Sequence, residues 1–324
     1  MQGKIAIEEH WESPEADTPA TFGFIDADYL AHLNQRLQDV DRRLEEMDAA
    51  GISISVLSLT QPGVQGIQDT RKAVEFARRM NDYAAETLAR RDPSRLKTFA
   101  CVALQDPEQA ALEAQRACRE LGCIGILVNG FTDLGDDNAR YLDEPQVLTF
   151  WEAISELGVP VYLHPRMPLA SQRKSYKGYP GLVGSAWGFG HETATHALRL
   201  MLSGLFDRFP KLNVVLGHLG EGLALSLPRV EHRFRHQLPG SHGMHLRTPM
   251  EYFCDNFYVT TSGTFRTQGL LHTISEIGVD RVLFAVDYPY ESMSEITEWF
   301  DNCPISPNDK RQVASGNARR LFGL

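Results

Sequence analysis

Acidic and histidine side chains stand where several strand-like runs of this sequence end. The first run ends in Glu8-Glu9-His10, a later one ends in His164, and a late one ends in Asp287. Because side chains alternate along a strand, Glu8 and His10 point to one side and Glu9 points to the other. Two imidazoles and two carboxylates suit Zn²⁺ or Mn²⁺ and leave coordination positions open for substrate or water. These residue types indicate a site for a divalent metal ion.

The same residues also have structural interpretations. A lone histidine at a strand end is usually a hydrogen-bonded structural residue, and Asp287 before Tyr288-Pro289 could cap a turn. Further polar residues end other strand-like runs: Asn129, His218, Thr261 and Ser262. Because so many polar residues end strands in one chain, we favour the metal site over separate structural roles.

These residues can meet only if the strands that carry them end at one place. Short apolar runs bounded by turn residues predict eight strands, at residues 4–9, 54–59, 97–104, 124–129, 160–163, 213–217, 257–261 and 281–286. Helical periodicity predicts helices at residues 36–49, 70–89, 107–121, 147–157, 191–206, 221–234, 268–277, 293–299 and 308–321. This alternation predicts an α/β fold, a (β/α)8 TIM-type barrel, in which the carboxyl ends of the strands converge at one face.

No repeat or low-complexity linker divides the chain, so we expect residues 1–324 to form a single barrel domain. Two connections are longer than simple turns, at residues 11–29 after the first strand and 165–190 after the fifth. Loops of this length are usually lids or binding loops, and we expect both to cover the site. A third connection, residues 239–250, carries His242 and His245. It could be a binding loop or, equally, an oligomer contact.

Composition narrows the class of partner. The chain is 43% hydrophobic and has a formal net charge of −10, which excludes a disordered protein and argues against nucleic-acid or anionic-membrane binding. The five cysteines are scattered and form no C-x-x-C pair, so we expect a reducing cytoplasm. We expect neither a membrane span nor a secretion signal. The sequence has neither the G-x-S-x-G motif of a serine nucleophile nor a glycine-rich loop for a nucleotide phosphate, and we expect no organic cofactor.

Longer motifs resemble those of one family. The segments GKIAIEEH, GILVNGF, VYLHPRMPL, LNVVLGHLGEGL and RVLFAVDYPYE are similar to those of the metal-dependent, non-oxidative hydroxybenzoate decarboxylases of the amidohydrolase superfamily. The similarity runs nearly from end to end and is greatest to the members that act on γ-resorcylate (2,6-dihydroxybenzoate). Typical hydrolases of the superfamily carry H-x-H on the first strand and often a lysine on the fourth. This chain instead has Glu8-x-His10 and Asn129 there, as the mononuclear decarboxylases do.

The resemblance implies a role for each matching residue. It implies one divalent ion, Mn²⁺ or Zn²⁺, held by Glu8, His10, His164 and Asp287. It places His218 and Glu221 beside Asp287 as catalytic residues, Arg229 at the substrate carboxylate and Asn129 in the pocket. Aromatic walls for the substrate ring would come from Phe22, Phe24, Trp187, Phe189 and Tyr290, which could equally be core residues.

Three positions depart from the family pattern. Pro228 precedes Arg229 where relatives usually carry Trp, and a proline inside a helix can kink it and change where Arg229 points. Tyr290 adds a hydroxyl where Phe is usual, and His191 replaces a common Gln. These departures concern the choice of substrate more than the reaction.

The chemistry of the reaction can be argued separately. Loss of CO₂ from an aromatic acid leaves an aryl carbanion unless the ring carbon is protonated first. Asp287 is the candidate acid, with His218 and Glu221 placed to hold its proton. A divalent ion that binds an ortho-phenolate and the carboxylate would orient the ring. We expect decarboxylation of an ortho-hydroxybenzoate, such as γ-resorcylate or 2,3-dihydroxybenzoate, to the corresponding phenol, with reversal left open.

Two alternatives and one choice stay open at this level. The chain could be a metal-dependent hydrolase of a lactone or cyclic amide, in which Asp287 would act as general base. It could also be a catalytically silent barrel with a binding or scaffold role. We expect a homo-oligomer, and the sequence does not decide between a homodimer and a homotetramer.

Overall fold

The computed structural model describes residues 1–14, 23–238 and 240–324. Parallel strands, numbered β1–β8 in chain order, make up the barrel: Lys4–Trp11, Ile52–Leu59, Leu96–Thr98, Ile126–Asn129, Val161–His164, Val214–Leu216, Phe257–Thr260 and Val282–Leu283. One sheet contains β1–β3 and another contains β4–β8. A small antiparallel hairpin, Thr132–Gly135 with Asn138–Arg140, follows β4. The eight strands therefore follow one another in sequence order around the barrel.

Two short parallel pairings join these sheets. Ala100, just after β3, bridges to Ile126 of β4, and Glu9 of β1 bridges to Tyr288, just after β8. The predicted TIM-type barrel is confirmed, since the ring of parallel strands closes on itself.

Helices follow the strands, numbered α1–α13: Ala27–Gln38, Val40–Ala50, Thr70–Tyr83, Pro107–Glu120, Leu148–Leu157, Gly188–Leu202, Leu205–Arg208, Leu223–Phe234, Pro249–Asn256, Thr267–Ile277, Met293–Asn302, Pro307–Arg311 and Asn317–Phe322. Short 3₁₀ or π turns lie at Gly63–Gly66, Ala84–Leu88, Ala89–Arg91, Pro145–Val147, Ala170–Tyr176, Pro180–Leu182, Val279–Arg281 and Gln312–Gly316. Among the described residues, no helix has the length and hydrophobicity that a membrane span needs.

The apolar core has two layers. A large cluster packs the outer faces of the strands against the helices. A smaller one fills the interior of the barrel with side chains that lie on the strands or directly follow them, among them Leu127, Val215 and Leu283. Because the interior below the mouth is filled by these side chains, the space for chemistry lies at the carboxyl ends of the strands.

Some predicted boundaries are wrong. The predicted helix 36–49 is two helices, because Asp39 ends α1 and its side chain caps the start of α2 by accepting from the backbone N–H of Arg42. The helix Pro249–Asn256 is missing from the prediction. Within the predicted strands 97–104 and 281–286, the regular strands are shorter, Leu96–Thr98 and Val282–Leu283.

The two long connections after β1 and β5 are present. Part of the first, residues 15–22, lies outside the described residues, and α1 begins within its far end. The second contains the short turns Ala170–Tyr176 and Pro180–Leu182 before α6 begins. Their action as lids stays a prediction.

Candidate metal centre and active site

Four side chains meet at the carboxyl end of the barrel. Glu8 and His10 lie on β1, His164 ends β5 and Asp287 follows β8, and one potential ligand atom from each lies within 4.8 Å of the others. Nε2 of His10 is 3.1 Å from Oδ1 of Asp287, and Nε2 of His164 is 3.4 Å from Oε1 of Glu8. Two of these buried atoms, Oε1 of Glu8 and Nε2 of His10, have no hydrogen-bond partner within the described part of the chain. Unpaired lone pairs that converge in this way fit a divalent cation.

An irregularity in β1 aims its two donors into the barrel. Ile5 and Ile7 belong to the interior cluster, so regular alternation would turn Glu9 inward. The pairing of β1 with β2 shifts register between Ala6 and Glu9, and such a bulge reverses which residues face inward. Glu9 instead faces out of the barrel, where it accepts from the backbone N–H of Val286 at 3.0 Å. Burial raises the pKa of Glu9 to about 8.

Hydroxyl groups from β5 and β7 hold the second oxygen of Glu8. The phenol of Tyr162 donates to Oε2 of Glu8, and the hydroxyl of Thr260 donates to the same oxygen at 3.1 Å. Burial and the charge of Glu8 raise the pKa of Tyr162 well above its usual value, so the phenol keeps its proton.

The two histidines also have partners behind them. Nδ1 of His10 lies 3.2 Å from the hydroxyl of Ser58, and Nδ1 of His164 lies 2.8 Å from Oδ1 of Asn129. The contacts at Nδ1 leave Nε2 of each ring facing the cluster. Partners of this kind fix the orientation and tautomer of histidine ligands.

A second group of residues borders Asp287. Its Oδ2 lies 3.7 Å from Nε2 of His218, whose Nδ1 lies 2.7 Å from Oε1 of Glu221. The backbone is left-handed at His218 (φ 53°), Glu221 (φ 55°) and Asp287 (φ 79°), an unfavourable conformation for residues other than glycine. A Cβ atom on Gly263 would lie 2.5 Å from Cδ2 of His218, so only glycine fits there. Strained backbone that is held in this way is typical of functional sites.

Opposite charges determine the ionisation of these groups. Burial opposes ionisation of Glu8, but the charge of His218 and the nearby imidazole of His164 lower the pKa of Glu8 to about 2. Burial also opposes ionisation of Asp287, but contacts with His10 and His218 hold the pKa of this carboxyl well below its usual value. Burial disfavours the charged form of His218, but Glu221 raises the pKa of this imidazole well above its usual value. The pair of His218 and Glu221 therefore holds a proton beside an ionised Asp287.

The predicted substrate-binding residues lie at different depths. Asn129 is buried, and its amide also donates to the carbonyl of Leu59 at 3.4 Å, so both ends of this side chain contact protein. The hydroxyl of Tyr290 lies 2.6 Å from that of Thr60, and its ring stands 5.7 Å from the ring of His10. Tyr290 thus lies beside the candidate metal ligands Glu8, His10, His164 and Asp287. The place of Asn129 in a substrate pocket stays a prediction.

The remaining candidates are more exposed. Phe24 and Trp187 expose 39% and 56% of their surface, and the ring of Trp187 packs 4.5 Å from that of His191. Arg229 is exposed on α8, which continues through Pro228, and within the described residues its guanidinium has no hydrogen bond or ion pair. Phe22, which the sequence suggested as an aromatic wall, lies outside the described residues. Among the described residues, no hydrogen bond, ion pair or ring contact joins Trp187 or Arg229 to the four candidate metal ligands.

Three residues of the site have no place in the sequence-based prediction: Ser58, Tyr162 and Thr260. Alternation would have pointed to two of them. Tyr162 precedes the candidate ligand His164 by two residues, and Thr260 precedes the polar strand end Ser262 by two, so each pair shares one side of its strand.

Comparison with known proteins gives consistent results. The Amidohydrolase family model matches residues 27–324. A γ-resorcylate decarboxylase of Rhizobium sp. (strain MTP-10005) is 48% identical over 327 residues, which cover 100% of this chain and 99% of that protein. A solved 2,6-dihydroxybenzoate decarboxylase in complex with 2,6-dihydroxybenzoate has a TM-score of 0.96 and 48% identity, with both chains covered completely. A dihydroxybenzoic acid decarboxylase of Polaromonas sp. JS666, solved with manganese and the inhibitor 2-nitroresorcinol, has a TM-score of 0.96 and 46% identity, covering 100% of this chain and 98% of that one.

Proposed function

This chain belongs to the amidohydrolase family, and we propose that it catalyses the non-oxidative decarboxylation of an ortho-hydroxybenzoate. The substrate we favour is γ-resorcylate (2,6-dihydroxybenzoate), with 2,3-dihydroxybenzoate as an alternative of the same class. The observation that carries this proposal is the group of Glu8, His10, His164 and Asp287 with a histidine–carboxylate pair beside Asp287. The names and ligands of the similar proteins support the choice of substrate.

The four clustered side chains would hold one divalent ion, for which Mn²⁺ is our first choice and Zn²⁺ the second. The two carboxylates neutralise its charge, and four protein donors leave coordination positions for a substrate. When bound, the ion supplies Lewis-acid stabilisation of an ortho-phenolate and a carboxylate. The similar structure from Polaromonas contains manganese.

The proton would reach the substrate through Asp287. Glu221 holds Nδ1 of His218, and Nε2 of His218 faces the oxygen of Asp287 that does not contact His10. We assign the proton to His218, from which it passes to Oδ2 of Asp287 and then to the ring carbon that bears the carboxylate. The bond to the carboxylate then breaks, its electron pair restores the aromatic ring, and CO₂ leaves. His218 is afterwards reprotonated from solvent.

Other residues would bind the substrate. The exposed guanidinium of Arg229, which has no partner among the described residues, can pair with the substrate carboxylate. Phe24, Trp187 and Tyr290 would border the ring and exclude water. Asn129 would line the pocket, and its contact with Nδ1 of His164 would orient that histidine.

We place residues 1–324 in one barrel domain that works in the cytoplasm as a homodimer or homotetramer. Leu238, Met244 and Leu246 expose at least four-fifths of their surface in the segment after α8. Apolar side chains exposed together are typical of subunit contacts. Size-exclusion chromatography with light scattering would test the oligomeric state, and a monomer at micromolar concentration would contradict it.

The test of the function is CO₂ release by the Mn²⁺-loaded protein. We expect it to convert 2,6-dihydroxybenzoate to 1,3-dihydroxybenzene and CO₂, with a lower rate for 2,3-dihydroxybenzoate and no hydrolysis of an aromatic lactone. The same protein after treatment with a chelator is the control. Hydrolysis of the lactone without CO₂ release from either acid would favour the hydrolase alternative.

A further inference from the structure

The two oxygens of the Glu8 carboxylate have different surroundings. Oε1 faces His164 at 3.4 Å and has no hydrogen-bond partner within the described residues. Oε2 accepts from the phenol of Tyr162 and from the hydroxyl of Thr260. Oε1 is therefore available to a metal ion held with His10, His164 and Asp287, whereas Oε2 is occupied by its two hydrogen-bond donors.

The donor direction of the Thr260 hydroxyl follows from its neighbours. The backbone N–H of His218 donates to Oγ of Ser262 at 3.1 Å, and Oγ of Ser262 lies 2.8 Å from Oγ1 of Thr260. Each hydroxyl has one hydrogen, and an ionised carboxylate can only accept. Ser262 therefore donates to Thr260, and Thr260 donates to Glu8, so every hydrogen in this series has an acceptor.

Packing keeps water and other conformations out of this arrangement. Glu8, Tyr162, Thr260 and Ser262 are all fully buried. A Cβ atom on Gly217 would lie 2.9 Å from Oε2 of Glu8 and 3.2 Å from Oγ of Ser262. Only glycine at this position leaves room for the carboxylate and its donors.

We propose that Tyr162 and Thr260 are positioning residues that present Glu8 to the metal ion through Oε1 alone, with Ser262 orienting the Thr260 hydroxyl. The inference rests on the proposed metal site. Without these two donors the carboxylate can turn Oε1 away from the ion, and metal binding would weaken. Residues behind a metal ligand commonly have this effect.

The experiment measures Mn²⁺ affinity, without reference to activity, by calorimetric titration of chelator-treated protein. Tyr162→Phe removes the donor and keeps the ring, and we expect it to weaken Mn²⁺ binding by about 10-fold or more. Thr260→Val should weaken binding similarly, whereas Thr260→Ser retains the hydroxyl and should bind as the wild type does. Tyr258→Phe is the matched control, because Tyr258 lies deeper in the barrel on the same strand as Thr260.

Each outcome separates this inference from the proposal that it rests on. Unchanged affinity in both Tyr162→Phe and Thr260→Val, with a wild type that binds Mn²⁺, would overturn the positioning role. Equal losses in Thr260→Ser and Thr260→Val would overturn it as well, because the hydroxyl would then not matter. Failure of the wild type to bind Mn²⁺ would instead contradict the proposed metal site. Should Tyr162→Phe not fold, the serine and valine variants of Thr260 decide the question.

Discussion

Nδ1 of His164 lies 2.8 Å from Oδ1 of Asn129, and both side chains are buried at the mouth of the barrel. An amide oxygen can only accept, so the imidazole carries its hydrogen on Nδ1 and keeps the lone pair of Nε2 free. That lone pair points at the cluster formed with Glu8. Asn129 thus sets the tautomer in which His164 can bind a metal ion.

This contact leads to an expectation for Asn129→Ala. Without the acceptor, the ring of His164 can rotate or place its hydrogen on Nε2, and we expect Mn²⁺ affinity to fall by about 10-fold or more. Asn81→Ala is the control, since Asn81 is equally buried but bonds to Cys101 and Glu113. Asn81→Ala should reduce thermal stability and leave the affinity unchanged. Equal affinities in both variants would mean that Asn129 does not orient the ligand.

Removal of a ligand should have a larger effect than removal of its partner. We expect the purified protein to contain about one divalent ion per chain, and Glu8→Ala or His164→Ala to lose it, because each removes one of four donors. Elemental analysis after dialysis gives the metal content. His236→Ala, which changes an exposed histidine, serves as the control. Full metal content in both ligand variants would show that the metal site lies elsewhere.

The role proposed for Arg229 predicts a strong effect of a conservative change. A lysine keeps the charge but cannot make the planar two-pronged contact with a carboxylate, so Arg229→Lys should reduce kcat/KM by about tenfold or more. Arg233→Lys, on the same helix, should have little effect. An unchanged kcat/KM in Arg229→Lys would indicate that Pro228 directs this side chain away from the substrate.

The barrel and the meeting of the four candidate ligands follow from the sequence because both depend on simple regularities. Apolar runs alternate with helical periodicity, and parallel strands place their carboxyl ends together. Glu8, His10, His164 and Asp287, up to 279 residues apart in sequence (287 − 8), therefore meet within 4.8 Å. Strand length is less predictable, because hydrophobicity reports burial and not backbone pairing. Val102 and Leu104 are buried although β3 ends at Thr98.

Other features depend on contacts that a single sequence does not show. In the apolar run VYLH, the sequence suggests that Tyr162 is a core residue. Only the structure shows that its phenol donates to Glu8. The helix Pro249–Asn256 does have a local signal, a capping box in which Thr248 and Glu251 each accept from the other's backbone N–H. The left-handed backbone at Asp287 has none, because it results from packing around the site.

A buried histidine outside the site predicts how stability depends on pH. His196 is fully buried and accepts from the backbone N–H of Leu142 through Nε2 at 2.9 Å. Burial lowers the pKa of His196 to about 3, with a smaller contribution from Arg199. As pH falls below the unfolded value of about 6.5, the unfolded chain binds a proton that the folded chain cannot bind until about pH 3. Stability present above pH 6.5 is therefore lost between these two values.

The matching experiment compares His196→Gln with the wild type, because glutamine can accept the same hydrogen bond and does not titrate. Between pH 7 and pH 5 we expect the wild type to lose about 2 kcal/mol more free energy of unfolding than the variant. Urea denaturation at both pH values gives this difference. The exposed His236→Gln should lose as much as the wild type. Parallel losses in His196→Gln and the wild type would show that His196 is not held neutral.

The last expectation concerns Asp287, which we propose as both metal ligand and proton donor. Asp287→Asn keeps an oxygen for the ion but cannot deliver a proton. Mn²⁺ binding should therefore fall only in part, while decarboxylation at saturating Mn²⁺ falls by about 10²–10⁴-fold. Asp280→Asn is the control, because Asp280 precedes the amino end of β8 and Asp287 follows its carboxyl end.

A solvent-isotope experiment on the wild type completes the test. In D₂O the product should carry one deuterium at the carbon that bore the carboxylate, because the proton of the His218 and Asp287 pair comes from solvent. Mass spectrometry and NMR locate the label. A Mn²⁺-loaded Asp287→Asn protein that decarboxylates at near wild-type rate would rule out Asp287 as the acid. His218, 3.7 Å away, would then be the residue that protonates the ring directly.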